Sequence, residues 1–286
     1  MKENNNEQYY RKMERVLMEL KPEKMEITFM KLNKLNRGEL HGCILRMSDD
    51  AAAAPTFYLE DFMEAYVNGM SAEDIAQSII KCAMDVDPNT VPGGINIEDY
   101  KSVNTRLGLM VIGEERNREL LSEYVHEKVE DLAVMPAIYI QNGQRFGRIR
   151  IKKEFLEMWG VTERTVMDDA IANAPKLMPP IMRSLSEITG IKVEIPVYVI
   201  SNQNFDDGAA VAFYPGFIDR VKACLGMDLY ILPSSVNELI IIADYGQDPK
   251  ELRQLVDAVN STEMDPEDVL TSSVYRYKDG RICKVA

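Results

Sequence analysis

The sequence has few of the residues that build metal and redox sites. It contains only two histidines, His41 and His126, and no two of its four cysteines have CxxC spacing. The cysteines lie far apart, at Cys43, Cys82, Cys224 and Cys283. A structural zinc site needs about four nitrogen or sulfur ligands, usually in closely spaced pairs. We therefore predict no metal site and no cofactor, and we expect reduced thiols.

Long apolar runs and clusters of basic residues are also missing. The longest apolar runs, such as 239–243, are too short to cross a bilayer, and MKENNNEQYY lacks the apolar core of a secretory signal. The formal charge is −13, and the basic residues of 148–153 alternate with isoleucine, as on the solvated face of a strand. The sequence thus predicts a cytoplasmic protein that binds neither membranes nor, directly, nucleic acid.

Hydrophobic periodicity predicts a chain of alternating helices and strands. Helical spacing predicts an N-terminal helix over 5–20, and Ser71, Thr162 and Asp248 have the properties of helix caps. Other helices are predicted at 58–69, 114–124, 181–190 and 215–226. Strands are predicted at 26–32, 39–47, 107–113, 131–140, 145–151, 195–201, 228–235 and 238–244, with loops at 49–55 and 86–96 and a closing hairpin at 274–285. Pro136 is expected to break or bend its strand.

Two stretches of the chain resemble each other. In both 58–83 and 151–174 a short helix leads through a glycine to a longer capped helix, and a strand, a helix and an Asp-Leu-x-apolar-apolar-Pro segment follow. We predict an α+β fold that is internally duplicated, with mixed β-sheets flanked by helices. The predicted parts are an N-terminal helix (1–23), a first α+β repeat (24–136), a second α+β repeat (137–243), and a C-terminal helix and hairpin that complete the second half (244–286).

Several segments resemble a family of uncharacterised bacterial proteins encoded largely in anaerobic gut bacteria. They are 58–76, 132–140, 204–209, 230–242 and 257–277. The stretch 145–174 resembles a second uncharacterised family, found in spore-forming bacteria. Neither family has an established activity, so the resemblance implies none. The first family often has histidine where this chain has Asn237, so a Ser-His-Glu arrangement would lack its base here.

Two polar segments that follow predicted strands supply the candidate binding residues. They are Asn204, Asp206 and Asp207 before Gly208, and Ser234, Ser235, Asn237 and Glu238 after a strand that ends on proline. Asx residues with glycine suit a tight turn, and hydroxyls often satisfy the backbone where a strand turns, so structural roles come first. Contacts to a ligand or partner come second. If the fold brings the segments together, they would form one polar patch at strand ends.

Catalysis and calcium binding have weaker support in the same segments. No histidine lies near Ser234 in the sequence, and the chain lacks the GxSxG pattern of a nucleophile elbow. In the 201–213 stretch the glycine comes one place late for a calcium loop, and Phe213 stands where glutamate is needed. We therefore predict no catalytic and no metal-binding residues.

The sequence by itself specifies no activity. Our leading hypothesis is a non-catalytic cytoplasmic protein that binds a protein partner or a small polar ligand. The alternative is a hydrolase-type enzyme that uses the loops 201–208 and 233–238. A third hypothesis, an accessory factor of a mobile element, comes from the resemblance alone. The sequence leaves the oligomeric state open.

Overall fold

The computed structural model describes residues 2–47, 54–85, 95–142, 145–190, 195–262 and 264–286. Most of the predicted loops 49–55 and 86–96 lies outside the described residues. The chain divides into two units, Met1–Gly94 and Ile95–Ala286. This division falls at 94/95, whereas the two predicted repeats meet at 136/137. The structure does not show the duplication, which stays a prediction.

The N-terminal unit packs helices on one face of a small antiparallel sheet. Its elements are α1 (Lys2–Leu20), β1 (Glu26–Lys34), β2 (Gly38–Arg46), β3 (Thr56–Tyr58), α2 (Met63–Val67) and α3 (Ala72–Met84), with sheet order β1-β2-β3. Ser71 caps α3 by accepting from the Asp74 N–H at 3.0 Å, as predicted. In α1, Met13 and Leu17 are fully buried, whereas Leu20 at the helix end is exposed.

The C-terminal unit contains two sheets that share one hydrophobic core. The four-stranded sheet consists of β4 (Leu107–Gly113), β5 (Glu127–Val129), β6 (Leu132–Asn142) and β7 (Arg145–Arg150). The six-stranded sheet has β8 (Pro180–Ser184), β9 (Val197–Asn202), β10 (Leu229–Ser235), β11 (Glu238–Ala243), β12 (Tyr275–Lys278) and β13 (Arg281–Lys284), in the order β13-β12-β10-β11-β9-β8. A buried 3₁₀ helix, Gly208–Phe213, contributes residues to the core that the two sheets share.

The helices of this unit are short except for two. They are α4 (Tyr100–Val103), α5 (Arg118–Leu121), α6 (Lys153–Trp159), α7 (Glu163–Leu177), α8 (Leu185–Thr189), α9 (Phe217–Leu225) and α10 (Pro249–Thr262). α10 buries Leu252 and Val256 against the six-stranded sheet, whereas Leu255 is exposed. No helix among the described residues has the length and apolar character needed to cross a membrane.

The α+β class is confirmed, with several local corrections. Every strand pair that the structure describes is antiparallel, so the sheets are not mixed. β6 runs unbroken through Pro136, because on one side its pairing passes from Glu127 of β5, opposite Val134, to Arg150 of β7, opposite Ala137. The missing N–H of Pro136 therefore falls where neither strand needs it.

Two predicted helices are wrong in part. The 181–190 stretch begins as β8, because Pro180–Ser184 pairs with β9, and only Leu185–Thr189 is helical. In 114–124 the structure has a 3₁₀ turn followed by the single turn α5. α7 continues past Pro175 to Leu177, because a proline near the end of a helix removes only one backbone hydrogen bond.

Candidate functional site

The two predicted polar segments lie side by side at one end of the six-stranded sheet. β9 and β11 are antiparallel neighbours, with Leu239 opposite Ile200. The end of β9, from which the 203–207 loop departs, is therefore adjacent to the start of β11 and to the turn that precedes it. The sheet register thus brings the two segments together as the sequence-based hypothesis required.

Gly208 permits the closest contact between the segments. The Ser201 hydroxyl donates to the Asn237 carbonyl oxygen at 2.7 Å. A Cβ atom on residue 208 would lie 2.0 Å from Ser201 Oγ and 2.1 Å from that same carbonyl oxygen. Only glycine fits there, so Gly208 is required by close backbone approach rather than by ligand chemistry.

Asn237 fixes the backbone at the point where the 3₁₀ helix begins. Its side-chain oxygen accepts from the Asp207 N–H at 3.1 Å, and its own N–H donates to Ser235 Oγ at 3.0 Å. Asp207 has a φ of +52°, a left-handed conformation that Asx residues tolerate better than most. Asn237 and Ser235 therefore act as structural residues that hold Asp207 in place.

Asn202 holds the other side of the loop. Its Nδ2 donates to the Asp206 carbonyl oxygen at 2.6 Å, and its Oδ1 accepts from the Asn204 N–H at 2.9 Å. The Asn204 side chain is exposed and turns away to Met178 Sδ, at 3.2 Å. Phe205 at the tip is 42% exposed and has a φ of +53°. The loop is thus held from within while its tip presents an aromatic ring to solvent.

The Asp207 carboxylate is the centre of a buried cluster. Only 2% of the residue is exposed. Its Oδ2 lies 2.8 Å from the Tyr139 hydroxyl and 3.0 Å from Arg148 Nη1, and the same guanidinium nitrogen donates to Asp206 Oδ1 at 2.7 Å. The Tyr139 hydroxyl also lies 2.9 Å from the Leu109 carbonyl oxygen. The cluster joins β4, β6 and β7 to the start of the 3₁₀ helix.

Burial dominates the electrostatics of this cluster. Burial raises the pKa of Asp207 to about 6, although the positive charge of Arg148 opposes the shift. Burial, followed by the charge of Asp207, also raises the pKa of Tyr139 well above its ordinary value. For Arg148 burial works against the charge, but Asp207 and Asp206 outweigh it, so its pKa is raised. Arg148 stays charged, whereas Asp207 can change its charge near neutral pH.

Ser234 and Glu238 form a separate pair. The Ser234 hydroxyl donates to Glu238 Oε1 at 3.0 Å, and both side chains are partly buried. A serine nucleophile needs a base that accepts its proton and a third group that orients the base. His126 bonds through Nδ1 to the Tyr124 carbonyl oxygen instead. Ser234 and Glu238 therefore satisfy each other's hydrogen-bonding groups within the turn, as structural residues do.

Sequence reasoning found the outer part of the site and missed the inner part. Of the predicted residues, Asp206, Asp207, Ser235 and Asn237 belong to one connected network, while Asn204 turns away and Ser234 pairs with Glu238. The missed residues are Tyr139, Arg148 and Ser201, and Gly208 was predicted only as part of a tight turn. Arg148 was assigned to the solvated face of β7, and no local pattern links it to an aspartate 58 residues away.

Two grooves lie elsewhere in the C-terminal unit. One of about 600 Å³ is formed by β5, the start of α9 and the β12–β13 hairpin, and one of about 500 Å³ is formed by residues around His126 and the first half of α7. None of the predicted site residues lines either groove. Among the described residues, no three histidine, cysteine, aspartate or glutamate side chains are placed to hold a metal ion.

A family model covers residues 6–279, nearly the whole chain, and its description is a family of unknown function, DUF5688. The chain belongs to DUF5688. The resemblance to an uncharacterised family is thereby confirmed at that level. No curated protein and no solved structure matches the chain. In this DUF5688 protein, the geometry of the site is therefore the basis for inferring function.

Proposed function

We propose that this DUF5688 chain is a non-catalytic binding protein that holds a protein partner through the tip of the 202–207 loop. The proposal depends on one observation: Phe205 is exposed to solvent, and its backbone has a left-handed conformation that bulky residues rarely adopt. Such a conformation persists only where the surrounding structure imposes it, and it is concentrated at functional sites. Aromatic anchors of this kind often dominate the affinity of protein interfaces.

The loop that carries Phe205 is rigid because its polar groups are used internally. Asn202 binds both limbs of the loop, and Asn237 binds the Asp207 N–H. A loop that is already ordered loses little conformational entropy when it binds, which favours affinity. These hydrogen bonds use the polar groups that a small polar ligand would need, so a protein partner is the better supported choice.

The charges around Phe205 indicate the chemistry of the partner. The Arg183 guanidinium lies 5.8 Å from the centre of the Phe205 ring, and it has no carboxylate partner among the described residues. Arg148 is about one third exposed at the same loop, where Asp206 pairs with it. Arg183, a cation beside an aromatic ring, suits a partner that offers an apolar pocket with an acidic rim. Given a net charge of −13, direct binding to nucleic acid is not part of the proposal.

An enzyme is the second candidate, and one observation favours it. A buried carboxylate whose pKa is raised to about 6 is typical of acid–base catalysts as well as of structural networks. We also propose a bacterial origin and a cytoplasmic location, which the four free thiols support. An accessory role in a mobile element would be supported if the gene for the partner lay beside the gene for this chain.

The test compares two variants, each of which lacks one exposed aromatic ring. Phe205→Asn deletes the ring and keeps a residue that tolerates φ of +53°, whereas Tyr245→Asn deletes a ring that is 55% exposed elsewhere in the unit. Each tagged full-length chain is incubated with extract of the source organism, and a retained partner is identified by mass spectrometry, purified and titrated. We expect Phe205→Asn and Arg183→Glu to weaken binding at least tenfold and Tyr245→Asn to leave it unchanged.

The same experiment can overturn the proposal. A stoichiometric partner that binds Phe205→Asn as tightly as the wild type would place the interface elsewhere. A small molecule that co-purifies with the wild type and is chemically converted by it would favour the enzyme. Circular dichroism of each variant shows whether lost binding comes from lost folding.

A further inference from the structure

The Tyr139 hydroxyl has more acceptors than it has protons. Its oxygen lies within hydrogen-bond distance of the Leu109 carbonyl oxygen, at 2.9 Å, and of Asp207 Oδ2, at 2.8 Å. A phenol carries one proton, and a carbonyl oxygen and an ionised carboxylate can only accept. Both contacts can be hydrogen bonds at the same time only if one more proton is present, and the carboxyl of Asp207 is the group that can carry it.

The surrounding chain fixes this arrangement. A Cβ atom on Gly108 would lie 2.8 Å from two atoms of the Tyr139 ring, so only glycine lets the ring lie across β4. β4 pairs only with β6 among the described strands, so its other side has no strand neighbour and its carbonyl groups there are open to side-chain donors. Both the Leu109 carbonyl oxygen and the Asp207 carboxylate are therefore positioned to accept a hydrogen bond from the Tyr139 hydroxyl.

Four other ionisable groups act on Asp207 from the elements around it. Arg148 and Arg150 of β7 favour its negative charge, while Asp206 on its own loop opposes that charge. Tyr214, which follows the 3₁₀ helix, is close enough for the charge of Asp207 to raise its pKa, after the effect of burial. The positive charge of Arg148 is shared with Asp206, so it does not compensate Asp207 fully.

We infer that Asp207 takes up a proton in the folded chain and that this proton switches the hydrogen-bond partners of Tyr139 and Arg148. In the protonated state, Asp207 donates to Tyr139 Oη, Tyr139 donates to the Leu109 carbonyl oxygen, and Arg148 pairs with Asp206 alone. When the proton leaves to solvent, the Asp207 carboxylate accepts from Arg148 and from Tyr139, and the Leu109 carbonyl loses the hydroxyl.

The switch works near neutral pH because burial raises the pKa of Asp207 to about 6. It connects the edge strand β4 to the start of the 3₁₀ helix and to the loop that carries Phe205. The inference does not depend on the proposed partner, since it concerns a proton and groups within the chain. If the partner also binds there, its affinity would change over the same pH range.

The test follows the carboxyl carbon of Asp207 by ¹³C NMR from pH 4 to pH 8 in the full chain, with Asp207→Asn used for assignment. We expect a midpoint near 6, with the same midpoint at the Tyr139 ring carbon that bears oxygen, at the Arg148 side-chain N–H and at the Leu109 carbonyl carbon. Asp257→Asn, which removes an exposed carboxylate from α10, should leave all four curves unchanged.

A second variant distinguishes an exchange of hydrogen-bond partners from a raised pKa of Asp207 without such an exchange. Tyr139→Phe keeps the ring over Gly108 and removes only the hydroxyl, so the Leu109 carbonyl signal should no longer change with pH. A midpoint at or below 4 for Asp207 would overturn the inference. So would a midpoint near 6 that leaves the Tyr139 and Arg148 signals unmoved.

Discussion

Asp131 and Asp207, two of the aspartates in the C-terminal unit that contact a tyrosine hydroxyl, behave in opposite ways. Asp131, in the turn between β5 and β6, accepts from Ser273, Tyr275 and Lys284 of the C-terminal segment. Burial works against its charge, but these hydrogen bonds outweigh burial and lower its pKa. At Asp207 burial prevails and raises the pKa.

The number of available protons explains the difference. Each donor at Asp131 brings a proton of its own, and the side chain is 27% exposed, so water also solvates it. Asp207 shares Arg148 with Asp206, and it competes with Leu109 for the only proton of Tyr139. The comparison teaches that the charge state of a buried carboxylate depends on how many donors are free to serve it, more than on how many polar groups lie nearby.

The largest expected effect comes from the scaffold beneath Asp207. Gly208→Ala should lower the free energy of unfolding by about 3 to 4 kcal/mol, because the new Cβ overlaps Ser201 Oγ and a backbone oxygen that cannot move freely. Chemical denaturation measures it. Gly147→Ala is the matched control, since a Cβ there meets nothing within 4 Å. Equal stability of the two variants would mean that the 207–208 backbone can shift.

The next effect concerns Asp131. Asp131→Asn should destabilise the chain by about 3 kcal/mol at pH 7, because it weakens charge-assisted hydrogen bonds and leaves the buried Ser273 and Tyr275 hydroxyls with a poorer acceptor. Thermal unfolding of wild type and variant measures it. A loss below about 1 kcal/mol would show that the anion contributes little, and the contrast with Asp207 would lose its energetic basis.

The pH dependence of stability should separate Asp207 from the other carboxylates. Because the folded pKa is raised from 3.8 to about 6, the folded chain binds this proton more tightly than the unfolded chain. The resulting stabilisation is complete below about pH 4, is lost as pH rises to about 6, and amounts to about 3 kcal/mol. The difference in unfolding free energy between wild type and Asp207→Asn, measured from pH 4 to 8, isolates it. A difference that does not vary with pH would contradict the raised pKa.

The smallest effect is expected at the loop tip. Phe205→Asn should leave stability unchanged or raise it by about 1 kcal/mol, since asparagine tolerates the left-handed conformation that phenylalanine is forced to adopt. Urea denaturation measures this change. A loss greater than about 1 kcal/mol would mean that the ring packs on the protein, and Phe205 would then be a structural residue rather than an anchor for a partner.

Local patterns predicted much of the fold. The caps at Ser71 and Thr162 and the closing hairpin β12–β13 all appear where the sequence placed them. Each of these depends on interactions within a few residues. The helix predicted at 181–190 failed because β9 offers the first half of that stretch a strand partner, which no local pattern reveals.

The candidate site shows the same division. The sequence by itself determined that two polar segments follow two strands and that Gly208 ends a run of Asx residues, because turn chemistry is local. Only the tertiary structure decided that Tyr139 and Arg148 reach Asp207, since strand register and sheet packing bring together residues up to 68 positions apart. Burial, which raises the pKa of Asp207, also exists only in the folded chain, because it depends on which surfaces the two sheets cover.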